Sequence, residues 1–301
     1  MSRFAVTHTT TYRYQSTVSS SYGQACLLPR SSPEQSVISA ALTVQPQPAH
    51  MTTRVDAFGN LVSYIEVREP HQLLEVTATS EVDIVRPQIQ FLPAVQESLA
   101  EARRKLVELE AVERVEAARF LTASSRVPLD DQVRNYALAS IVEDRPVFDF
   151  IRNLTERINS DFTFDSSATT VTSTIADLFE RGGGVCQDFA HLAVGCLRSA
   201  GLPARYVSGY LETFPPAGQP KLIGADVSHA WAAVLIPGAG WVNCDPTNNQ
   251  FADDRYVTTA WGRDYDDVTP VKGVIYSNGG MTQLSVSVDV HRIVPDQQQP
   301  Q

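Results

Sequence analysis

A run of three glycines, followed after one residue by a cysteine that opens an apolar segment, constrains this chain more than any other feature. Gly182-Gly183-Gly184 breaks a short predicted helix, and Cys186 opens a second predicted helix that continues to about Ala200, with Gly201 as its stop. Unpaired N–H groups and a partial positive charge at a helix N-terminus favour a thiolate over a thiol. Glycines also let a substrate approach the backbone closely. The pattern predicts a nucleophilic Cys186 whose own amide can donate to an oxyanion, and the alternative is a buried structural cysteine.

The composition excludes several function classes. The chain has 301 residues, of which 43% are hydrophobic and 19% charged, as in a globular protein of one large domain or two smaller ones. Acidic residues number 34 against 24 basic ones, and the net charge of -10 disfavours binding to nucleic acid or to an anionic membrane. We find no membrane-spanning apolar stretch and no signal peptide, so we expect a cytoplasmic protein with free thiols.

Changes in residue pattern along the chain suggest a division into regions. Strand-like alternation dominates 1–90, helical patterning covers 94–121, and shorter helical patterns follow at 130–142 and 146–158. We therefore expect a β-rich N-terminal domain over 1–90 and a helical segment over 91–155. The catalytic core is predicted over 156–294, including a late alternating strand that begins near residue 283, and a disordered tail over 295–301.

Three predicted strands after the cysteine helix carry the other candidate groups. They cover 204–213, 229–236 and 240–245, and the last two form an apparent hairpin. In an antiparallel hairpin His229 and Asp245 lie at the same end, where the carboxylate can accept a hydrogen bond from Nδ1 and set the imidazole tautomer. Taken alone, His229 suits a half-exposed structural histidine better than a catalytic one, and Asp245, which precedes a proline, suits a turn equally well.

Together, a thiol, an imidazole and a carboxylate form a nucleophile, its base and the group that orients the base, which is the set that acyl transfer through a thioester requires. The rival interpretation is a metal site made of Cys186, His191 and Cys196. Each step of five residues turns a helical side chain by about 140°, so these three diverge. The glycine run matches neither a phosphate loop nor a dinucleotide fingerprint. We expect no metal and no cofactor, and we expect Cys196 and Cys244 to be core residues.

Several blocks in the right order then resemble the bacterial transglutaminase-like superfamily. The chain has Gly-Val-Cys-Gln-Asp-Phe-Ala-His at 184–191, Gly-Leu-Pro-Ala-Arg-Tyr-Val-Ser-Gly-Tyr at 201–210, Ser-His-Ala-Trp at 228–231, Gly-Trp at 240–241 and Asp-Pro-Thr at 245–247. The N-terminal region also resembles the β-rich region that accompanies these domains, at 11–14, 28–30 and 56–60. Residues 262–265 and 268–270 are similar to the same subgroup.

The resemblance implies an α+β, papain-like fold in which the helix bearing Cys186 packs on an antiparallel sheet bearing His229 and Asp245, preceded by the β-rich N-terminal domain. It implies Cys186 as the nucleophile, His229 as general base and acid, and Asp245 as its orienter. The implied activity is cleavage of an amide, peptide or isopeptide bond in a peptide or protein substrate, with water or an amine as the acceptor. Members include cysteine proteases, amidases and acyltransferases, so the reaction stays open, as does the oligomeric state.

Two further questions stay open at this stage. A catalytically silent scaffold module that keeps the fold is the alternative to an enzyme. Trp231 and Trp241 are expected either to wall the site or to pack in the core, and the loop over 214–227 is either a lid near His229 or a plain surface loop. We assign no catalytic role to Asp188 or His191, which lie in the same predicted helix as Cys186.

Overall fold

The computed structural model describes residues 1–213 and 228–293. The predicted lid over 214–227 and the predicted disordered tail over 295–301 lie outside the described residues. Within the described ranges, no helix is both long enough and apolar enough to cross a membrane.

The described residues form fourteen strands and six α-helices. The strands are β1 (Ser2–Ala25), β2 (Gln35–Gln45), β3 (His50–Val55), β4 (Leu61–Val67), β5 (His71–Ile84), β6 (Thr163–Phe164), β7 (Gly183–Gly184), β8 (Ala204–Leu211), β9 (Ser228–Ile236), β10 (Gly240–Asp245), β11 (Gln250–Phe251), β12 (Tyr256–Gly262), β13 (Val271–Ser277) and β14 (Thr282–Ile293). The helices are α1 (Leu99–Val107), α2 (Ala111–Ala118), α3 (Asp131–Leu138), α4 (Val147–Asp161), α5 (Ile175–Arg181) and α6 (Cys186–Ser199).

The first sheet is built around the long strand β1. Its order is β2-β5-β1-β4-β3, and β13 and β14 also pair with β1. β14 runs antiparallel to the first half of β1, with Phe4 opposite Arg292 and Val6 opposite Val290. This pairing differs from the predicted domain division, because the end of the predicted core joins the sheet of the N-terminal region. Alternating hydrophobicity identifies a half-buried strand but carries no information about which strand it pairs with.

The second sheet carries the candidate site. Its order is β11-β10-β9-β8-β12, and its neighbouring strands run antiparallel. Helix α6 packs against β9 and β8, and α3 and α4 pack against α6. A helix enclosed in this way must be apolar on nearly every side, and α6 is buried from Gln187 to Arg198. The predicted α+β arrangement of helix and sheet is confirmed.

The helices around this sheet begin and end where local chemistry requires. Thr174 and Asp177 form a reciprocal capping box at the start of α5, and Gly182 ends that helix with φ 66°. Gly201, with φ 73°, follows α6. The helical patterning over 94–121 corresponds to two helices, α1 and α2, and Val112 and Val115 of α2 are exposed.

The N-terminal region completes the edge of the second sheet. Strand β12 lies at that edge, and the side-chain amide of Gln35 donates to Thr258 O (2.7 Å) and accepts from Thr258 N (2.8 Å). Asn60 pairs in the same way with Trp261 O (2.9 Å) and Trp261 N (3.0 Å). Each amide therefore stands in for the peptide group of a neighbouring strand, so backbone groups that burial would otherwise leave unpaired are satisfied.

We predict that Gln35→Ala and Asn60→Ala each lower the free energy of unfolding by about 2–6 kcal/mol, since each leaves two backbone groups unpaired at about 1–3 kcal/mol apiece. Urea unfolding followed by circular dichroism measures the change. Gln283→Ala is the matched control, because Gln283 is an exposed strand residue. Equal, small effects of all three substitutions would contradict this account of the sheet edge.

Candidate active site

Cys186 is the first residue of α6 and is half-buried. The start of the helix is held by Asp188, whose Oδ2 accepts from Val185 N (2.9 Å) and from Thr169 Oγ1 (2.6 Å). Burial raises the pKa of Asp188 despite these hydrogen bonds. Its carboxyl group therefore fixes the backbone that presents Cys186, which is a structural role.

The structural role of the glycines before Cys186 differs from the substrate approach that the sequence suggested. A Cβ atom on Gly183 would lie 2.8 Å from Thr163 O, and one on Gly184 would lie 2.7 Å from Asp188 Oδ2. Gly183 and Gly184 form β7, which pairs in parallel with β6. The glycines are thus required for close packing within the chain, whereas the sequence pattern favoured a close approach by substrate.

His229 and Asp245 lie on adjacent antiparallel strands, β9 and β10. His229 Nε2 lies 2.7 Å from Asp245 Oδ2, and both side chains are buried. The nitrogen expected from the sequence was Nδ1, and this detail was wrong. The ring is oriented with Nε2 towards the carboxylate, which leaves Nδ1 as the nitrogen that can serve Cys186. Cys186 is close enough to His229 to help raise the pKa of the imidazole.

The surroundings of His229 and Asp245 favour the charged form of both side chains. Burial alone would lower the pKa of His229, but hydrogen bonds to Asp245 and Cys186, and the charges of both groups, raise it overall. Burial would raise the pKa of Asp245, but hydrogen bonds from His229, Asn248 and Tyr256 lower it overall. The imidazolium is therefore stabilised on one side by a carboxylate and on the other by the sulfur, which can carry negative charge.

Two residues that the sequence analysis missed complete the surroundings of Asp245. Asn248 Nδ2 and Tyr256 Oη each donate to Asp245 Oδ2 at 2.7 Å. The backbone N of Thr247 donates to Asp245 Oδ1 at 2.9 Å. Asn248 stands three residues after Asp245, a spacing typical of side chains that share a turn. Tyr256 comes from β12, and no local pattern in the sequence points to it.

The two tryptophans differ in their surroundings. Trp231 is fully buried, its ring centroid lies 6.0 Å from that of His229, and its Nε1 donates to Asn243 Oδ1 at 3.0 Å. It therefore shields one side of the imidazole from water. Trp241 instead packs edge-on against Phe120, with 5.2 Å between ring centroids. It contributes to packing at the other end of the hairpin.

The other candidate groups near Cys186 have structural surroundings. His191 is buried, accepts a hydrogen bond at Nε2 from Tyr265 N (3.2 Å), and has its pKa lowered by burial to about 3, so it is neutral at physiological pH. Among residues 1–213 and 228–293, no group of three or more His, Cys, Asp or Glu side chains is arranged to hold a metal ion.

The remaining cysteines differ from Cys186 in their burial. All four cysteines are free thiols, and Cys26, Cys196 and Cys244 are buried. Burial raises the pKa of Cys26 and of Cys244 to about 12, and it raises that of Cys196 as well. These three thiols are therefore protonated and shielded at neutral pH.

We predict that iodoacetamide labels Cys186 selectively at pH 7, because its three counterparts are buried thiols. His229→Ala should slow this labelling by about tenfold or more, since the neighbouring imidazolium is lost. Mass spectrometry of tryptic peptides assigns the label to each cysteine. Labelling of Cys26 at the same rate as Cys186, with no effect of His229→Ala, would contradict the assembled pair.

We also predict that His229 titrates above the usual histidine value of about 6.5. Asp245→Asn should lower the pKa of His229, because the negative charge that stabilises the imidazolium is removed. Carbon-13 NMR of the imidazole Cε1 signals, of which the chain has only 6, measures both, and His229→Gln assigns the signal. A wild-type His229 that is neutral at pH 7 would contradict this electrostatic assignment.

Comparison with known proteins connects these observations to a family. Residues 4–83 match the model of the bacterial transglutaminase-like N-terminal region, and residues 135–246 match that of the transglutaminase-like superfamily. An uncharacterized protein of Mycobacterium tuberculosis is 42% identical over 295 residues, covering 96% of this chain and 92% of its own length. An uncharacterized protein of Mycobacterium leprae is 34% identical over 299 residues, covering 97% of this chain and all of its own (100%).

More distant matches extend the comparison. A solved structure from Cytophaga hutchinsonii, provisionally described as a cysteine protease, has a TM-score of 0.76 at 21% identity and covers 98% of this chain and 92% of its own. A protein-glutamine gamma-glutamyltransferase of Pseudomonas aeruginosa is 39% identical over 79 residues, which are 26% of this chain and 12% of that protein. With a helix bearing Cys186, a sheet bearing His229 and Asp245, and both family regions in order, the chain belongs to the transglutaminase-like superfamily.

Proposed function

We propose that this protein is a cysteine-dependent enzyme that cleaves an amide, peptide or isopeptide bond through a thioester. Cys186 is the nucleophile, His229 the general acid and base, and Asp245 the residue that orients and charges His229. The observation that carries the proposal is the buried His229–Asp245 pair, 2.7 Å apart, whose imidazole interacts electrostatically with the half-buried Cys186 at the start of α6.

The first half-reaction follows from this arrangement. The sulfur of Cys186 attacks the carbonyl carbon, and the negative charge that develops on the carbonyl oxygen is stabilised by the N–H of Cys186 at the helix start. The imidazolium of His229 donates its proton to the amide nitrogen as the C–N bond breaks. The amine leaves, and the acyl group remains on the sulfur as a thioester.

The second half-reaction depends on the acceptor. His229, now neutral, takes a proton from the incoming nucleophile as that nucleophile attacks the thioester carbonyl, and the thiolate leaves. We propose water as the acceptor, because water is present at far higher concentration than any amine at an unshielded thioester. The Cytophaga hutchinsonii structure supports hydrolysis, whereas the Pseudomonas aeruginosa transferase supports transfer to an amine.

The proposed substrate is a broad class of molecule. Peptides and proteins are the proposed substrates, since the similar Cytophaga hutchinsonii structure is described as a cysteine protease and the partial relative from Pseudomonas aeruginosa is named a protein-glutamine gamma-glutamyltransferase. The cytoplasmic location stays a prediction from the sequence.

We predict that the wild-type protein releases ammonia or new N-termini from casein and that Cys186→Ser lowers this activity by about 10³-fold or more, because the alcohol is a far weaker nucleophile. Dansylcadaverine in the same reaction reports transfer to an amine as covalent fluorescence. Cys26→Ala is the matched control, since Cys26 is a buried thiol whose pKa burial raises to about 12.

The outcomes separate three readings of Cys186. Loss of activity with an unchanged urea midpoint supports the nucleophile. Unfolding of Cys186→Ser indicates a structural cysteine. If wild-type Cys186 neither forms a thioester nor reacts with iodoacetamide, the result supports the catalytically silent scaffold module and contradicts the enzyme.

A further inference from the structure

A buried guanidinium without a hydrogen-bond or ion-pair partner among the described residues lies beside the β9–β10 hairpin, nearer to its turn than His229. Arg205 on β8 pairs with Ala233 on β9 and is only 6% exposed. Within the part of the chain that the structure describes, it makes no side-chain hydrogen bond or ion pair, and its Nε is buried without a partner. An unpaired buried charge is costly, so its persistence in a fold calls for a partner.

The neighbouring arginines do not share this shortage. Arg86 forms an ion pair with Glu34, and the charge of Asp56 stabilises the cation of Arg30. Arg30 also donates to Asn60 Oδ1 at 2.7 Å. The carboxylate of Glu34 also interacts electrostatically with Arg205, but it forms its ion pair with Arg86. Among the described residues, Arg205 is therefore the one of these three arginines whose guanidinium has no hydrogen-bond or ion-pair partner.

The faces of the Arg205 guanidinium are already covered. Its Cζ lies 4.0 Å from the ring centroid of Trp241 and 3.5 Å from that of Trp261. Arg30 covers the same Trp261 ring at 3.2 Å. Since two indoles cover the planar group and Nε is enclosed, a partner can reach it only along its terminal Nη edge. Two parallel hydrogen bonds along that edge are the geometry that a carboxylate accepts.

Arg205 lines a cavity that could hold such a partner. The cavity has a volume of about 610 Å³ and lies between α2, the β9–β10 turn and the loop at 57–59. That volume falls within the range of small-ligand sites, about 300–1,000 Å³. Its walls include Phe58, Phe120, Trp241 and Trp261, and among its described lining residues Arg205 is the one cation. An apolar body would contact these rings while its carboxylate reaches Arg205.

Two acidic side chains restrict the ligand further. Glu113 and Glu116 of α2 also line the cavity. Their negative charges disfavour multiply charged anions such as phosphate. They tolerate a ligand whose single negative charge lies at the end remote from these two residues, or one that carries an ammonium group near the opening of the cavity.

We propose that this cavity binds a monocarboxylate with an apolar body, the carboxylate pairing with Arg205 and the body packing on Trp241 and Phe120. The ligand is either a free organic acid or the C-terminal carboxylate of a peptide. The site is separate from the proposed catalytic site, because Ala233 and His229 are four residues, or about 13 Å, apart along β9. The proposal does not depend on the proposed catalytic activity.

Titration of the full chain with five probes tests this site, with calorimetry and tryptophan fluorescence as readouts. The probes are phenylacetate, its neutral analogue phenylacetamide, inorganic phosphate, and the peptide Gly-Gly-Phe with a free or an amidated C-terminus. We expect phenylacetate and the free peptide to bind at least about tenfold more tightly than their amides, and phosphate to bind more weakly than phenylacetate. Tighter binding of phenylacetate points to a free acid as the ligand, and tighter binding of the free peptide points to a peptide C-terminus.

Variants assign the binding to Arg205. Arg205→Met should abolish the preference for a carboxylate over an amide. Arg205→Lys should weaken this preference, because the charge remains but the two parallel hydrogen bonds of the guanidinium are lost. Arg134→Met, which removes a positive charge from the exposed face of α3, is the matched control and should leave binding unchanged. If Arg205→Met does not fold, Arg205→Lys and the acid–amide comparison in the wild type decide. Equal binding of acid and amide, binding of phosphate as tight as that of phenylacetate, or no binding at all overturns the proposal.

Discussion

The buried carboxylate of Asp245 is the constraint on which the arrangement of the site depends. It is 0% exposed and accepts hydrogen bonds from His229, Asn248 and Tyr256 at Oδ2, and from the backbone of Thr247 and Asn248 at Oδ1. A buried ionised carboxylate is tolerable only when its lone pairs are satisfied in this way. Its donors come from β9, from the turn after β10 and from β12, so three parts of the second sheet must be in place before His229 is oriented.

The N-terminal region takes part in this arrangement through β12. Gln35 and Asn60 supply the hydrogen bonds that a further strand would give to the edge of β12, and Arg86 donates to the carbonyl oxygen of Tyr256 at 3.1 Å. Tyr256 in turn donates to Asp245. A physical path therefore leads from the first sheet to the imidazole, which gives the N-terminal region a structural reason to accompany the core. The buried cluster that joins Phe4, Val6 and Val290 to Tyr210 and Val257 strengthens the same contact.

Helix α6 positions Cys186, and the second sheet supplies the charged pair His229 and Asp245. Asp188 and the close-packed Gly183 and Gly184 fix the start of α6, so that Cys186 is presented half-buried at the helix N-terminus. The three other cysteines lie in apolar surroundings that keep them protonated. The single thiol beside an imidazole is thus distinguished from its counterparts by where the fold places it, because all four side chains have the same intrinsic chemistry.

Much of this organisation follows from the sequence alone. The family and the α+β fold class are confirmed, and the strands that bear His229 and Asp245 follow from period-two patterning and the turn between them, because these signals are local. Only the tertiary structure decided the choice of Nε2, the role of Tyr256 and the return of β14 to β1. Each depends on residues far apart in the chain, and neither periodicity nor spacing specifies which distant strand pairs with which or how a ring is turned. The sequence determined which chemical groups are available, and the packing of the two sheets decided which of them meet.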